Sequence, residues 1–179
     1  EWNILHEDAI EKKADAVRGI LAYLRGFIAE KQAEPDETLG SYIANGAIDG
    51  RALTDDEIIG MTWFLWLGGL DTVASTVSQM FRRLAMSPEL QARIRGDKGL
   101  INSAVEEFLR TQPLVNSGRK VKRDFEWHGV QIKAGDWVTV FNTSGNFDEA
   151  QFTCPHQFDP ARSGNRHFTL AGGLHICLG

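Results

Sequence analysis

At 179 residues the chain is long enough to bury one core of ordinary domain size, and its 42% hydrophobic and 24% charged residues exclude a disordered or low-complexity polymer. The net charge of −5, with acidic and basic residues interspersed, leaves no basic stripe for a phosphate backbone, so no nucleic-acid partner is expected. Two cysteines, Cys154 and Cys177, are too few for a disulfide framework and favour a reducing, cytoplasmic compartment.

The N-terminal part of the chain is predicted to be helical. Apolar residues recur three and four apart from Asp8 to about Lys31, which indicates an amphipathic helix. Glu34-Pro35-Asp36 ends this helix, and Ser41 to Gly50 is predicted to carry one short helical turn.

A long helix is predicted from Thr54 to about Ala85. Thr54 and Glu57 have the spacing of a capping box, in which each side chain satisfies a backbone N–H at the start of the helix. The longest apolar run, Ile58 to Leu70, is shorter than the roughly 20 residues that span a bilayer. We therefore expect no membrane span here, and no targeting segment is visible.

The C-terminal part is predicted to combine helices with a small sheet. Ser87 and Pro88 have the pattern of a helix start, and a further helix over about 100–111 ends before Pro113. A small antiparallel meander is predicted over 119–125, 130–133 and 137–141, followed by an irregular loop over 142–168. The predicted fold class is therefore mostly α with a small antiparallel β-sheet.

Two adjacent glycines, Gly68 and Gly69, lie in the middle of the long helix, where each costs about 1 kcal/mol relative to alanine. Thr72 lies one turn beyond Gly68 on the same face, directly after Asp71. The residues alone leave two interpretations open. One is a glycine pair for helix packing beside a solvated aspartate, and the other is a ligand notch with an acid and an alcohol that move protons.

The last ten residues place Cys177 in a glycine-rich loop, with His175 two residues before it and Gly173 and Gly179 on either side. Glycine lets the backbone turn tightly and approach a flat ligand closely. A lone cysteine is often a small buried hydrophobe, so a structural thiol and a metal-binding thiolate both remain open. Haem iron explains the loop best, because a thiolate ligand favours O–O cleavage.

In chain order, Gly68-Gly69-Leu70-Asp71-Thr72, Glu107-Phe108-Leu109-Arg110 and Gly173 to Gly179 resemble the motifs of the haem-thiolate monooxygenases, the cytochrome P450 family. The resemblance is greatest to the soluble bacterial type and its camphor-hydroxylase branch. It covers essentially the whole chain as a partial, C-terminal domain, 1–179, of a longer protein. It implies haem b with Cys177 as the axial thiolate ligand of iron, and further cofactor contacts from Gly68, Gly69, Arg119, Leu170, Gly173, His175 and Gly179.

The same resemblance implies that the helix over 54–85 forms an oxygen-binding groove, in which Asp71 and Thr72 are catalytic. Arg119 and His175 would donate hydrogen bonds to the haem propionates. Leu170 departs from the family, which usually has phenylalanine seven residues before the cysteine, and Ala171 stands where glycine is common. These changes would alter packing near the sulfur.

Glu107 and Arg110 lie one helical turn apart, which by itself is an ordinary surface pair. The resemblance implies that Arg162 joins them in a structural triad, which holds the cysteine loop against the helix. It also implies substrate contacts from Phe64, Leu67, Leu114 and Val115. The expected reaction inserts one oxygen atom from O2 into a small hydrophobic, terpenoid-like substrate, with electrons from a ferredoxin and an NAD(P)H-dependent ferredoxin reductase.

Other functions remain open at this stage. A haem-thiolate protein without oxygenation activity would not need Asp71 and Thr72. A structural zinc site has the right inventory in Cys154, His156, His175 and Cys177, but its one-residue gaps are tighter than the usual two to four. The chain alone is expected to be inactive, because the family's other half is needed to enclose haem.

Overall fold

The computed structural model describes residues 7–178, and this part of the chain is mostly helical with small antiparallel sheets, as the sequence predicts. Its helices are α1 (Glu7–Ala33), α2 (Leu39–Ala44), α3 (Asp55–Leu70), α4 (Thr72–Ala85), α5 (Pro88–Gly96), α6 (Ile101–Thr111) and α7 (Asn142–Asn146). Its strands are β1 (Ala47–Ile48), β2 (Arg51–Ala52), β3 (Ser117–Lys120), β4 (Phe125–Trp127), β5 (Val130–Ile132) and β6 (Trp137–Val140). The elements fall into two compact units, residues 1–71 and 72–179, each with its own apolar core.

In the first unit, α1, α2 and α3 pack around a small apolar core. The buried members are Ile28 of α1, Ile43 and Ala44 of α2, and Ile58 of α3. Burying each aliphatic side chain contributes about 1.5–3 kcal/mol, which is enough to hold these amphipathic helices together.

The one short helical turn predicted within 41–50 is present as the end of α2, and a β-hairpin follows it. Beyond α2, strands β1 and β2 form an antiparallel hairpin with Ala47 opposite Ala52. Asp49 and Gly50 join them with φ angles of 52° and 77°, the left-handed pair that a type I′ turn requires. An Asp-Gly pair favours this hairpin turn, because both residue types tolerate positive φ angles.

The capping box predicted at Thr54 is present at the start of α3. Thr54 Oγ1 accepts a hydrogen bond from the Glu57 N–H at 3.3 Å, and the Glu57 carboxylate accepts one from the Thr54 N–H at 2.8 Å. Arg51 donates two further hydrogen bonds to that carboxylate, at 2.9 and 2.8 Å. The Arg51 guanidinium and the Thr54 donors lower the pKa of Glu57 to about 2, so the carboxylate keeps its charge well below neutral pH.

The long helix predicted over 54–85 is interrupted once. α3 ends at Leu70, Asp71 follows as its C-cap with φ −107° and ψ −39°, and α4 begins at Thr72. The interruption at Asp71 lies two residues after Gly69. Glycine has more backbone freedom than other residues, so Gly68 and Gly69 weaken the helix just before this point.

One stretch in the described part, Asp55–Ala85, is long and apolar enough to cross a membrane by length and composition. The sequence-based expectation of no span rested on the shorter run Ile58 to Leu70. A single stretch of this kind is weak evidence for a membrane span, because the core helix of a soluble protein meets the same criterion.

The second unit has its core where α4, α5 and α6 meet. Leu90, Ala104 and Phe108 are buried there, and Phe158 from the long loop packs on Phe108 with ring centroids 4.7 Å apart. This contact holds the loop after the strands against α6. At the start of α5, Ser87 takes the N-cap position and Pro88 the first turn, but the Ser87 side chain makes no capping hydrogen bond.

The strands of the second unit form two nested antiparallel pairs rather than the predicted meander. β3 pairs with β6, and β4 pairs with β5. The predicted strand 119–125 is split because Asp124 turns to the opposite segment, where its carboxylate accepts hydrogen bonds from the Ala134 N–H at 2.8 Å and from Lys133 Nζ at 3.0 Å.

Candidate functional site

Glu107 and Arg110 form a fully buried ion pair on α6. Arg110 Nε and Nη2 donate to the two carboxylate oxygens of Glu107, both at 2.8 Å, and each side chain has an exposed fraction of 0%. The spacing on the helix predicts the pair but gives no sign of its burial. A buried pair of this kind is stable only when its remaining donors and acceptors are satisfied.

The loop after the strands supplies those partners. Arg162 Nε donates to both Glu107 oxygens, at 3.1 and 3.0 Å, and the Arg162 side chain is 11% exposed. The Asp159 N–H and Asn165 Nδ2 each donate to Glu107 at 3.0 Å. The structure thus brings Glu107, Arg110 and Arg162 together, and it adds Asn165, which the sequence did not indicate.

Electrostatics explain why Glu107 stays charged at this depth. Burial alone would raise its pKa, but hydrogen bonds from Arg110, the Asp159 backbone and Arg162 outweigh burial and hold the pKa of Glu107 below its usual value. The other donors of Arg162 reach backbone carbonyls, with Nη1 at 2.8 Å from Thr153 O and Nη2 at 3.0 Å from Gln157 O. One carboxylate therefore fixes the loop to α6.

Asn146 and Thr169 extend this network toward the cysteine, and sequence reasoning missed both. Asn146 is fully buried at the end of α7, and its backbone carbonyl accepts a hydrogen bond from Arg110 Nη1 at 2.7 Å. Its side chain contacts Thr169, one residue before Leu170. Asparagine is so common in loops that its presence in the segment 142–168 gave no signal of burial.

The cysteine loop is a closed turn on the surface of the second unit. The Cys177 N–H donates to the carbonyl of Leu170 at 2.8 Å, and the Ala171 N–H donates to Phe168 O at 2.9 Å. Gly173 begins a 3₁₀ turn, Gly173–His175, with a φ of 71°. The Cys177 thiol is exposed, as is that of Cys154.

The two departures from the family pattern have different consequences in the loop. Leu170 takes part through its carbonyl, which any residue supplies, and its side chain is half-buried. Ala171 has a φ of 61°, a left-handed conformation in which glycine carries no penalty and an L-residue with a Cβ is strained by about 1–2 kcal/mol. Gly179, which was also predicted to contact the cofactor, lies outside the described residues.

The two candidate propionate donors have exposed side chains. His175 closes the 3₁₀ turn two residues before Cys177. Arg119 lies on β3 opposite Val138, and its Nη1 donates to Gly118 O at 2.8 Å. Both side chains are therefore accessible from solvent in the described part of the chain.

The candidate oxygen-groove residues lie at the junction of α3 and α4. A Cβ atom built on Gly68 or Gly69 meets no atom within 4 Å. Asp71 and Thr72 follow directly and are exposed.

Three of the four candidate substrate residues are largely exposed. Phe64 and Leu67 on α3 are 65% and 54% exposed, and Val115 is 52% exposed after α6. Leu114 is half-buried. Asn142 fixes this last segment, because its Nδ2 donates to Val115 O at 2.8 Å.

The zinc alternative is not supported by the geometry. Within residues 7–178 no three His, Cys, Asp or Glu side chains lie close enough together to hold a metal ion. Instead, His156 stacks on Phe147 with ring centroids 5.2 Å apart. The set Cys154, His156, His175 and Cys177 is therefore rejected as a structural zinc site.

The family model described as Cytochrome P450 matches residues 4–98 and 99–168 of the chain. Probable cytochrome P450 127A1 of Sinorhizobium fredii is 32% identical over 177 residues, 99% of this chain and 42% of that protein. The steroid C26-monooxygenase of Mycobacterium tuberculosis is 34% identical over 166 residues, 92% of this chain and 45% of that protein.

Solved structures agree with the sequence relatives. The cytochrome P450 PksS of the bacillaene polyketide synthase of Bacillus subtilis 168 superposes with a TM-score of 0.91 at 28% identity, over 98% of this chain and 46% of that chain. The fold is therefore part of the fold of these proteins. The chain spans a little under half the length of the relatives it matches.

Proposed function

The chain belongs to the cytochrome P450 family, and from that membership we propose that it forms the haem-binding, C-terminal part of a soluble bacterial haem-thiolate monooxygenase. The observation that carries the proposal is an exposed Cys177 thiol on a closed loop, tied through the preceding segment to the buried Glu107 cluster.

The residues around Cys177 fit a flat, largely apolar cofactor such as haem b. Leu174, Ile176 and Leu178 flank the thiol with exposed fractions of 100%, 58% and 85%, an apolar surface that has no covering in the described chain. Bound haem would supply the iron at which O2 is reduced. Cys177 would hold the iron as a thiolate ligand, and Gly173 would allow the backbone to approach the flat cofactor.

Two hydrogen-bond donors fit the anionic edge of the same cofactor. The exposed His175 and Arg119 side chains would each donate a hydrogen bond to a propionate. Charge-assisted hydrogen bonds are about twice as strong as neutral ones, so these two contacts would set the orientation of the ring in its plane.

Asp71 and Thr72 would deliver protons in the reaction. The Asp71 carboxyl group would take protons from solvent and the Thr72 hydroxyl would pass them on, while Gly68 and Gly69 leave the space that a small ligand needs. An acid and an alcohol beside a notch favour oxygenation over a haem-thiolate protein that only isomerises or senses.

The substrate is proposed to be a small hydrophobic, terpenoid-like molecule. Phe64, Leu67, Leu114 and Val115 would contribute apolar contacts to it. The name of the M. tuberculosis relative, a steroid monooxygenase, is compatible with an apolar substrate of this kind. Electrons are proposed to come from a ferredoxin and an NAD(P)H-dependent ferredoxin reductase in the cytoplasm.

The test is to graft residues 1–179 into a complete family member in place of the matching segment, reduce the protein, add carbon monoxide and record the Soret band. We expect a strongly red-shifted band that is lost in Cys177→Ala. The matched control, Cys154→Ala, removes the other exposed thiol and should keep the band. A folded graft that binds haem without the shift would mean that Cys177 is not the ligand.

A further inference from the structure

The C-terminal end of α6 has backbone carbonyls that the helix itself does not satisfy. The last four carbonyls of any α-helix lack an intrahelical donor. For Leu109 the residue four positions on is Pro113, which has no N–H to donate. The carbonyls of Leu109 and Arg110 lie at the buried end of this helix and need donors from another part of the chain.

Two side chains from distant segments supply those donors. Thr169 Oγ1 donates to Leu109 O at 2.6 Å, and Asn146 Nδ2 donates to Arg110 O at 3.0 Å. Asn146 Nδ2 also donates to Thr169 Oγ1 at 2.9 Å. The Thr169 hydroxyl therefore accepts a hydrogen bond from Asn146. It donates its single proton to Leu109 O, so it cannot donate to any other group.

The orientation of the Asn146 amide is fixed by the same contacts. Its Oδ1 accepts a hydrogen bond from the Phe168 N–H at 2.7 Å, while its Nδ2 faces a carbonyl and the threonine hydroxyl. A flipped amide would put Oδ1 against the Arg110 carbonyl. Asn146 and Thr169 thus hold residues 168 and 169 in one register on α6.

The backbone links the position of residues 168 and 169 on α6 to the position of Cys177. Thr169 precedes Leu170, whose carbonyl accepts the hydrogen bond from the Cys177 N–H at 2.8 Å. From the end of α6 to Cys177 the path thus consists of one threonine hydroxyl, one peptide unit and one backbone hydrogen bond.

We propose that Thr169 is a positioning residue for Cys177, and that its hydroxyl, held by Asn146, sets the place of the cysteine loop on α6. The proposal rests on the proposed function, since it takes Cys177 as the cofactor ligand. Valine at position 169 would have nearly the same shape but would leave the part-buried Leu109 O without this donor, because Pro113 cannot replace it. Serine would keep the donor.

The first test is amide hydrogen exchange of the full 179-residue chain without haem. In Thr169→Val we expect the Cys177 amide to exchange roughly tenfold faster, the order expected for one buried hydrogen bond, while the amides of α6 keep their rates. Thr169→Ser should restore slow exchange. The matched control is Thr111→Val, which removes a hydroxyl that donates within α6, to Glu107 O at 2.9 Å.

The second test uses the haem-loaded graft and its carbon monoxide complex. Thr169→Val should lower the fraction with the red-shifted Soret band, and Thr169→Ser and Thr111→Val should not. An unprotected Cys177 amide in the unaltered chain, equal exchange in Thr169→Val, or acceleration that extends through α6 would each overturn the proposal. Lack of a red-shifted band in the unaltered graft would instead count against Cys177 as ligand, and the exchange result would still decide the role of Thr169.

Discussion

The Glu107 carboxylate is the central hydrogen-bond acceptor of the network on α6. Its carboxylate accepts hydrogen bonds from two guanidiniums, one backbone N–H and one asparagine amide, all within 3.1 Å. No part of it is exposed. Because Arg110 is buried as well, neither charge can be solvated if the other is removed.

We expect Glu107→Gln to lower the free energy of unfolding by about 3–5 kcal/mol, the cost of leaving a buried charge without its partner. Urea denaturation of the chain measures this. Glu106→Gln is the control: its side chain is 51% exposed and pairs with His167 Nε2 at 3.0 Å, so its loss should cost less than about 1 kcal/mol. Equal effects of the two substitutions would contradict a special role for Glu107.

The same residue predicts a dependence of stability on pH. The folded-state pKa of Glu107 lies below its ordinary value of 4.5, so its contribution is fully present above that pH and is lost as the pH falls toward the folded-state value. A series of urea denaturation curves at falling pH measures this loss of unfolding free energy. In Glu107→Gln the part of the loss that comes from this carboxylate should be absent. An unchanged pH dependence would assign that part to other carboxylates.

At the scale of an element, α3 has a well-capped N-terminal end and a C-terminal end with low helix propensity. The capping box and Arg51 fix its first turn, while Gly68 and Gly69 precede the interruption at Asp71. Neither glycine is required by packing within the described chain, because a Cβ would meet open space at both. Our proposal gives these glycines a role in leaving space for a ligand, and a substitution can separate that role from helix stability.

We expect Gly68→Ala to stabilise α3 by about 1 kcal/mol through helix propensity, and to weaken carbon monoxide binding to the reduced graft by blocking the notch. Gly60→Ala is the matched control on the same helix, where a Cβ also meets nothing within 4 Å. It should give the same gain in stability with unchanged carbon monoxide affinity. Equal affinities in both variants would remove the notch from the proposed function.

At the scale of the whole molecule, the described chain leaves many large apolar side chains in contact with solvent. Phe64 is 65% exposed, Leu70 54%, Val73 62% and Phe81 66%. Monomeric soluble proteins rarely expose contiguous apolar patches larger than a few hundred Å². The chain spans under half of its relatives' length. We therefore expect the rest of a P450 fold to cover this apolar surface.

The chain by itself is therefore expected to self-associate. Size-exclusion chromatography with light scattering should give a mass above that of one chain, and the double variant Phe64→Ser, Phe81→Ser should shift it toward a single chain. Tyr42→Ser, which removes an aromatic side chain on α2 that is 78% exposed, is the control and should leave the mass unchanged. A single-chain mass for the unaltered protein would contradict this expectation.

The sequence by itself determined the features that depend on local spacing. The capping box at Thr54, the helical pattern of α1 and α6, and the one-turn spacing of Glu107 and Arg110 are set by residues a few positions apart. The resemblance to the cytochrome P450 family likewise rests on short motifs, each only a few residues long.

Only the tertiary structure decided which side chains are buried together. Asn146 and Thr169 are 23 residues apart and meet at the end of α6, and Asn165 reaches Glu107 across 58 residues. No local pattern marks these contacts, because a polar side chain in a loop looks the same in sequence whether it is solvated or buried. Its role is fixed only when folding buries the unsatisfied backbone groups that it must pair with.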